Sequence, residues 1–217
     1  MMSDFKEIIA KRAALELSDG DVVNLGIGIP TMVADFIGED KDVIFQTENG
    51  CVGIGPAAEE GKEDFDLANA GSIYATIRPG ASFCDSATAF ALIRGGHIDA
   101  VILGAMEVDA KGNIANWKVP GKKVAGMGGA MDLVSGARRV IVTMQHTQNG
   151  VSKILKECTL PLTAKGKVDM IITEMAVLKV TDKGLVLMEI GPGVTVDDVI
   201  AATDANLIIP EKVGSFK

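Results

Sequence analysis

Val22-Val23-Asn24-Leu25-Gly26-Ile27-Gly28-Ile29-Pro30-Thr31 changes character twice in a few residues, and that change decides the fold. The apolar run at 22–25 reads as a short buried strand. Glycines at 26 and 28 then permit a tight turn and a close backbone approach. Pro30 suits the first turn of a helix, where its missing N–H is not needed, and Met32-Val33-Ala34-Asp35-Phe36-Ile37 continues that helix. Strand, glycine turn and helix together form the repeating unit of an α/β protein.

On either side of this stretch the same alternation recurs. Upstream, residues 5–17 place Phe5, Ile8, Ile9, Ala13 and Leu15 near one face, which predicts an amphipathic helix stopped by Asp19-Gly20-Asp21. Downstream, Val43-Ile44-Phe45-Gln46-Thr47 reads as a strand that delivers Glu48-Asn49-Gly50 into a turn, and residues 56–72 read as a polar surface excursion. A helix is expected over 85–93, ending at Gly95-Gly96, then a buried strand over 98–105. After the cluster Gly126-Met127-Gly128-Gly129 come a short helix over 130–134 and a β-rich run over 138–143. Residues 170–177 and 184–189 read as paired strands across a turn at 181–183, and Thr195 with Asp198 forms a capping-box pattern opening a last helix to about residue 202. The expectation is an α/β fold: an open mixed, mostly parallel sheet with helices on both faces and a partly antiparallel C-terminal part, in one domain spanning 1–217.

Composition agrees and excludes several functions. A chain of 217 residues, 47% hydrophobic and 23% charged, suits one sizeable core, and its 25 glycines follow no collagen-like period. The net charge of −8 argues against a nucleic-acid or anionic-membrane surface, so any anionic ligand must be held locally. Cys51, Cys84 and Cys158 show no metal-ligand spacing, and with only His97 and His146 beside them no metal site is expected. The charged N-terminal segment lacks the apolar core of a signal peptide, and no stretch approaches the length of a membrane span. The expectation is a reduced, cytoplasmic, soluble protein.

Ligands of open α/β folds gather at the carboxyl ends of strands, where Glu48 and the 26–30 loop both arrive. Glu48 reads either as a surface-turn carboxylate or as a site residue. The Gly26-x-Gly28-x-Pro30 loop lacks the third glycine of a dinucleotide fingerprint, yet it offers backbone amides to an anion; a plain strand-to-helix turn is the equal alternative. Gly128 and Gly129 before a helix allow the same two readings. His97 reads as a turn residue, while His146, ending a strand, is the better site candidate of the two. Cys51 reads as a loop-lining residue, Trp117 as core or interface, and the pairs Lys122-Lys123 and Arg138-Arg139 as solvated faces unless a phosphorylated ligand needs them.

Taken together, Phe45-Gln46-Thr47-Glu48-Asn49-Gly50 resembles the Ser-Glu-Asn-Gly signature of the class I (3-oxoacid) CoA-transferases. Asn24 to Pro30, Ser86 to Gly96, Gly112 to Trp117, Gly126 to Val134 and Cys158 to Thr163 match in order, over roughly residues 5–210. The likeness is greatest to the B (β) subunits of the butyrate/acetate–acetoacetate group. It implies a ping-pong transfer with Glu48 as nucleophile, through a glutamyl anhydride and a glutamyl–CoA thioester. Gly128 and Gly129 are the implied oxyanion amides, Gly26 and Gly28 shape the CoA pocket, and Asn49 and Gly50 aim the carboxylate. Coenzyme A is then a substrate, with no permanently bound cofactor. The implied partners are an α (A) subunit in an α2β2 or larger assembly, acyl-CoA and short-chain carboxylic acids.

Two residues depart from the family pattern. Thr47 stands where serine is commoner but keeps a hydroxyl, and Cys84 stands where an aromatic is frequent, which bears on the acyl pocket. The alternatives are a transferase for another acid pair, such as succinate or 3-oxoadipate, and a non-catalytic ligand-binding domain on the same fold.

Overall fold

The glycine turn at 26–28 sits where expected, between β1 (Val22–Leu25) and α2 (Ile29–Met32), in a computed structural model that describes residues 4–122, 124 and 126–217. The chain opens with α1 (Asp4–Ala14); after α2 and a 3-10 turn at Val33–Phe36 it returns on β2 (Ile44–Thr47). An antiparallel pair, β3 (Cys51–Ala57) and β4 (Ala75–Phe83), runs to the sheet edge before α3 (Ser86–Arg94) leads back to β5 (Ala100–Leu103). The short strands β6 (Glu107–Asp109) and β7 (Ile114–Ala115) precede α4 (Ala130–Gly136) and β8 (Val140–Thr143). The hairpin β9 (Thr147–Gln148) and β10 (Val151–Ser152) follows, then β11 (Ile154–Leu155), which pairs with β6. The chain closes with β12 (Met170–Ile172), β13 (Ala176–Thr181), β14 (Gly184–Ile190), α5 (Val196–Ala202), β15 (Leu207–Ile208) and β16 (Gly214–Ser215).

The main sheet runs β15-β14-β13-β12-β8-β5-β1-β2-β3-β4, with β16 beside β14. Its centre, from β12 to β2, is parallel, and antiparallel pairs flank it on both sides. Strand side chains alternate between two cores, as a period of two demands. Ala100, Ile102, Ile141 and Ile172 face α1, which buries Ile9, Ala10 and Ala13. Val101, Leu103, Val140, Val142 and Ile171 face the other way, toward Ile93 of α3, Leu133 and Val134 of α4 and Val199 of α5. The expected layering is therefore present: a mostly parallel sheet covered by helices on both faces.

Three local readings need correction. Leu15 is exposed and Leu17 is buried in its place, because α1 ends at Ala14 and tighter i→i+3 bonds from Leu15 to Arg12 and from Leu17 to Ala14 change the phase of the last turn. Residues 51–57 and 75–83 form strands that the periodicity did not announce; Gly53, Gly55, Pro56, Pro79 and Gly80 break their pattern, and β4 is largely exposed. The run 170–177 is two strands, since Thr173 Oγ accepts from the Met175 and Ala176 amides and turns the chain between them. The last helix opens with the expected capping box, Thr195 and Asp198 each accepting from the other's backbone.

Candidate active site

Glu48 leaves the carboxyl end of β2 in a tight turn, half-buried, and the turn is locked by its neighbours. The Gly50 amide bonds the Thr47 carbonyl at 3.1 Å, and the Cys84 amide bonds the Gly50 carbonyl at 2.9 Å. Gly50 has φ 114°, and a Cβ there would run into the Cys84 carbonyl, so only glycine fits. The Thr47 hydroxyl accepts from the Cys51 amide at 3.3 Å, using the oxygen that a serine would also supply. Asn49 donates its side-chain amide to the Ala68 carbonyl at 2.8 Å, tying the turn to the 56–72 excursion.

Periodicity missed the nearest polar neighbour of Glu48. Asn24, 1% exposed in β1, donates from Nδ2 to Glu48 Oε2 at 3.2 Å, to Gln46 Oε1 at 2.9 Å and to the Gln46 carbonyl at 3.0 Å. Two hydrogens serve three acceptors, and the buried Asn24 Oδ1 has no donor among the described residues. A buried polar group without a partner is costly, so such positions tend to be functional. The signal was present in the sequence: Asn24 and Gln46 are polar residues inside apolar strands.

From the other side, the glycine cluster reaches the same carboxylate. A Cβ built on Gly129 would lie 3.7 Å from Glu48 Cγ and 3.2 Å from the Phe90 ring, so this buried glycine lets the start of α4 approach the turn. Gly128 beside it has φ 54°. At the end of β1, the Gly26 amide is already bonded to the Ile102 carbonyl at 2.8 Å, and a Cβ there would meet Leu103 Cδ2 at 2.9 Å. Gly26 thus lets the loop pack against β5, whereas Gly28, exposed at φ 93°, faces open space. The structure brings Glu48, Asn49, Gly50, Asn24 and Gly129 together; Phe90, an ordinary apolar helix residue, carried no sequence signal.

Other candidates lie elsewhere. His146 follows β8, separated from β2 by β5 and β1, and is 0% exposed, its ring nitrogens bonded to the Thr173 and Thr203 hydroxyls at 2.9 and 2.8 Å. Burial holds its pKa down at about 4, so it is a neutral structural imidazole. His97 is an exposed turn residue. Arg138 pairs with Asp99 at 2.7 Å and Arg139 with Asp21 at 2.6 Å, at the amino ends of the strands and so at the far end of the sheet from Glu48. Lys122 is exposed; Lys123 lies outside the described residues. Trp117 is half-buried, donating to the Leu162 carbonyl at 3.3 Å. Burial, with Cys84 nearby, pushes the Cys51 thiol pKa up, which makes it a poor nucleophile. Among the described residues, no group of three or more His, Cys, Asp or Glu side chains is placed to hold a metal.

Comparison with known proteins agrees with this geometry. A family model described as "Coenzyme A transferase" matches residues 6–202. The beta subunit of an acetate CoA-transferase of Haemophilus influenzae is 51% identical over 207 residues, covering 95% of this chain and 92% of that protein. The corresponding beta subunit of the acetate CoA-transferase of Escherichia coli is 52% identical over 203 residues, covering 93% of each chain. A succinyl-CoA:3-ketoacid coenzyme A transferase of Helicobacter pylori has a B-type subunit that is 52% identical over 201 residues, covering 92% of this chain and 97% of that one. The crystal structure of the acyl-CoA transferase YdiF from Escherichia coli O157:H7 superimposes with a TM-score of 0.80 at 26% identity, covering 99% of this chain but only 43% of the YdiF chain. With a carboxylate on a glycine-locked turn and this coverage, the chain belongs to the coenzyme A transferase family and is an enzyme whose substrate is CoA.

Proposed function

We propose that this chain is the β subunit of a cytoplasmic short-chain acyl-CoA:3-oxoacid CoA-transferase, with Glu48 as its nucleophile. The observation that carries the reading is the Glu48 carboxylate, aimed by the Gly50 turn and held at 3.2 Å by Asn24 beside the Gly129 backbone. The Glu48 carboxylate adds to the thioester carbonyl of an acyl-CoA, and expulsion of CoA thiolate leaves an acyl–glutamyl anhydride. The thiolate then adds to the glutamyl carbonyl, releasing the first acid and forming a Glu48–CoA thioester. The second acid enters by the reverse sequence and regenerates the carboxylate. A carboxylate nucleophile retains the thioester's energy, which a serine ester would dissipate.

Each addition develops an oxyanion, and one well-placed donor is worth about 10²–10³ in rate. The Gly128 and Gly129 amides at the start of α4 supply such donors in this reading. Asn24 orients the carboxylate, and Gly26 and Gly28 leave room for CoA. An α subunit completes the pocket in an α2β2 or larger assembly and excludes water from the anhydride. The named relatives support acetate, succinate and 3-oxoacids as candidate acids, with butyrate as a further acceptor.

The test is to co-express the chain with its α subunit, add acetoacetyl-CoA without an acceptor acid, and map the hydroxylamine- or borohydride-trapped adduct by peptide mass. An adduct on Glu48 is expected; one elsewhere overturns the mechanism. Acceptor competition among acetate, butyrate and succinate then ranks the acids.

A further inference from the structure

The edge of the sheet nearest Glu48 carries apolar side chains that this chain leaves uncovered. Phe65 is 78% exposed, Ile27 74% and Phe83 63%, with Ile73, Tyr74 and Ile77 also exposed. They are neighbours in space. Phe65 and Tyr74 stack edge to face with ring centroids 5.4 Å apart, and Ile27 and Ile73 line one cavity of about 250 Å³ with Leu25, Phe45 and Ile54. Ile77 pairs with Ile54 across β3 and β4, and Phe83 pairs with Cys51 at the foot of the Glu48 turn. A contiguous apolar patch of this kind marks an interaction surface.

Two features say what covers it. The edge is unsuited to strand-on-strand pairing with a second copy: Pro79 lacks an N–H, Gly80 turns at φ 85°, and the β3–β4 register shifts twice. The patch is also bordered by Glu59, Glu60, Glu63, Asp64 and Asp66, against one lysine, Lys62, so two identical copies would bring like charges together. The YdiF chain matches this one over only 43% of its own length, and so carries a further body of chain that this one lacks.

We infer that this patch is the docking face for the α subunit, which presents an apolar surface with a basic rim, seats one large side chain in the cavity between Ile27 and Ile73, and thereby closes over Glu48. The inference rests on the reading of the chain as a β subunit and adds where the partner sits. Packing through side chains makes the central aromatic and aliphatic residues the energetic anchors.

The test uses the co-expressed pair. Phe65→Asp and Ile73→Asp, made singly, are expected to weaken association with the α subunit at least about 30-fold, the loss typical of an interface hot spot. Val151→Asp, at an exposed apolar position on the β9–β10 hairpin, is expected to leave it unchanged. Circular dichroism and melting of each isolated variant check that the fold is kept. If the wild-type pair associates and the patch variants bind as tightly as wild type, the inference is overturned while the β-subunit reading stands. If the wild-type pair does not associate at all, both fall. A homodimer of this chain that the same variants dissolve overturns the choice of partner.

Discussion

Asn24 reaches across from β1 to hold Glu48 Oε2 at 3.2 Å, so the reactive carboxylate is oriented by a residue buried in the neighbouring strand. Because Asn24 is also bonded to Gln46, its amide is fixed before any substrate arrives. Such preorganisation lowers the barrier by removing reorientation from the reactive step. Asn24→Ala is expected to slow formation of the Glu48 adduct about 10–100-fold, with little change in KM for acyl-CoA. Asn24→Asp is expected to be worse, because it sets carboxylate against carboxylate. Rapid-quench kinetics on the assembled enzyme separates the two effects.

Glu48→Gln keeps the shape of the turn and removes the nucleophile. Transfer is expected to fall at least about 10³-fold, with the melting temperature within a few degrees of wild type. Measuring transfer and thermal unfolding on the same preparation checks both, and appreciable residual transfer counts against the mechanism.

Gly50→Ala attacks the turn through the backbone. At φ 114° with the Cys84 carbonyl in the way, alanine must displace either β4 or the turn. A loss of about 2 kcal/mol or more in denaturant unfolding is expected, together with reduced adduct formation even where the protein stays folded.

His146 makes stability pH-dependent. Its folded pKa, about 4, lies below the unfolded value near 6.5 because burial penalises the charged ring. Between those values the unfolded chain binds more protons, so the stabilisation is complete above about pH 6.5 and is lost as the pH falls toward 4, roughly 3 kcal/mol in all. His146→Gln is expected to flatten this part of the curve, read as melting temperature against pH from 7 to 4.

The elements that create the site were legible because each is local. The strand at 22–25, the glycine turn, the proline-started helix and the Glu48-Asn49-Gly50 turn follow from residue type and spacing within a few positions. β3 and β4 were not legible: their residues are held by pairing to β2 and to each other, not by an apolar face of their own. The split of 170–177 was hidden for a related reason, since a buried threonine bonding its own backbone looks in sequence like any β-branched strand residue.

The alternating α/β architecture and the ordered motifs of a CoA-transferase are set by sequence alone, because periodicity, caps and glycine turns are written in neighbouring residues. Which of the scattered polar groups meet is settled by tertiary packing. Asn24 lies beside Glu48 because β1 and β2 are adjacent parallel strands, and Gly129 does because α4 packs against α3 and starts next to Phe90. His146 and the Arg138-Arg139 pair are placed away from Glu48 by strand order and strand direction. Contacts between residues tens of positions apart depend on how the sheet is ordered, and a linear pattern with a period of two or 3.6 carries no record of that order.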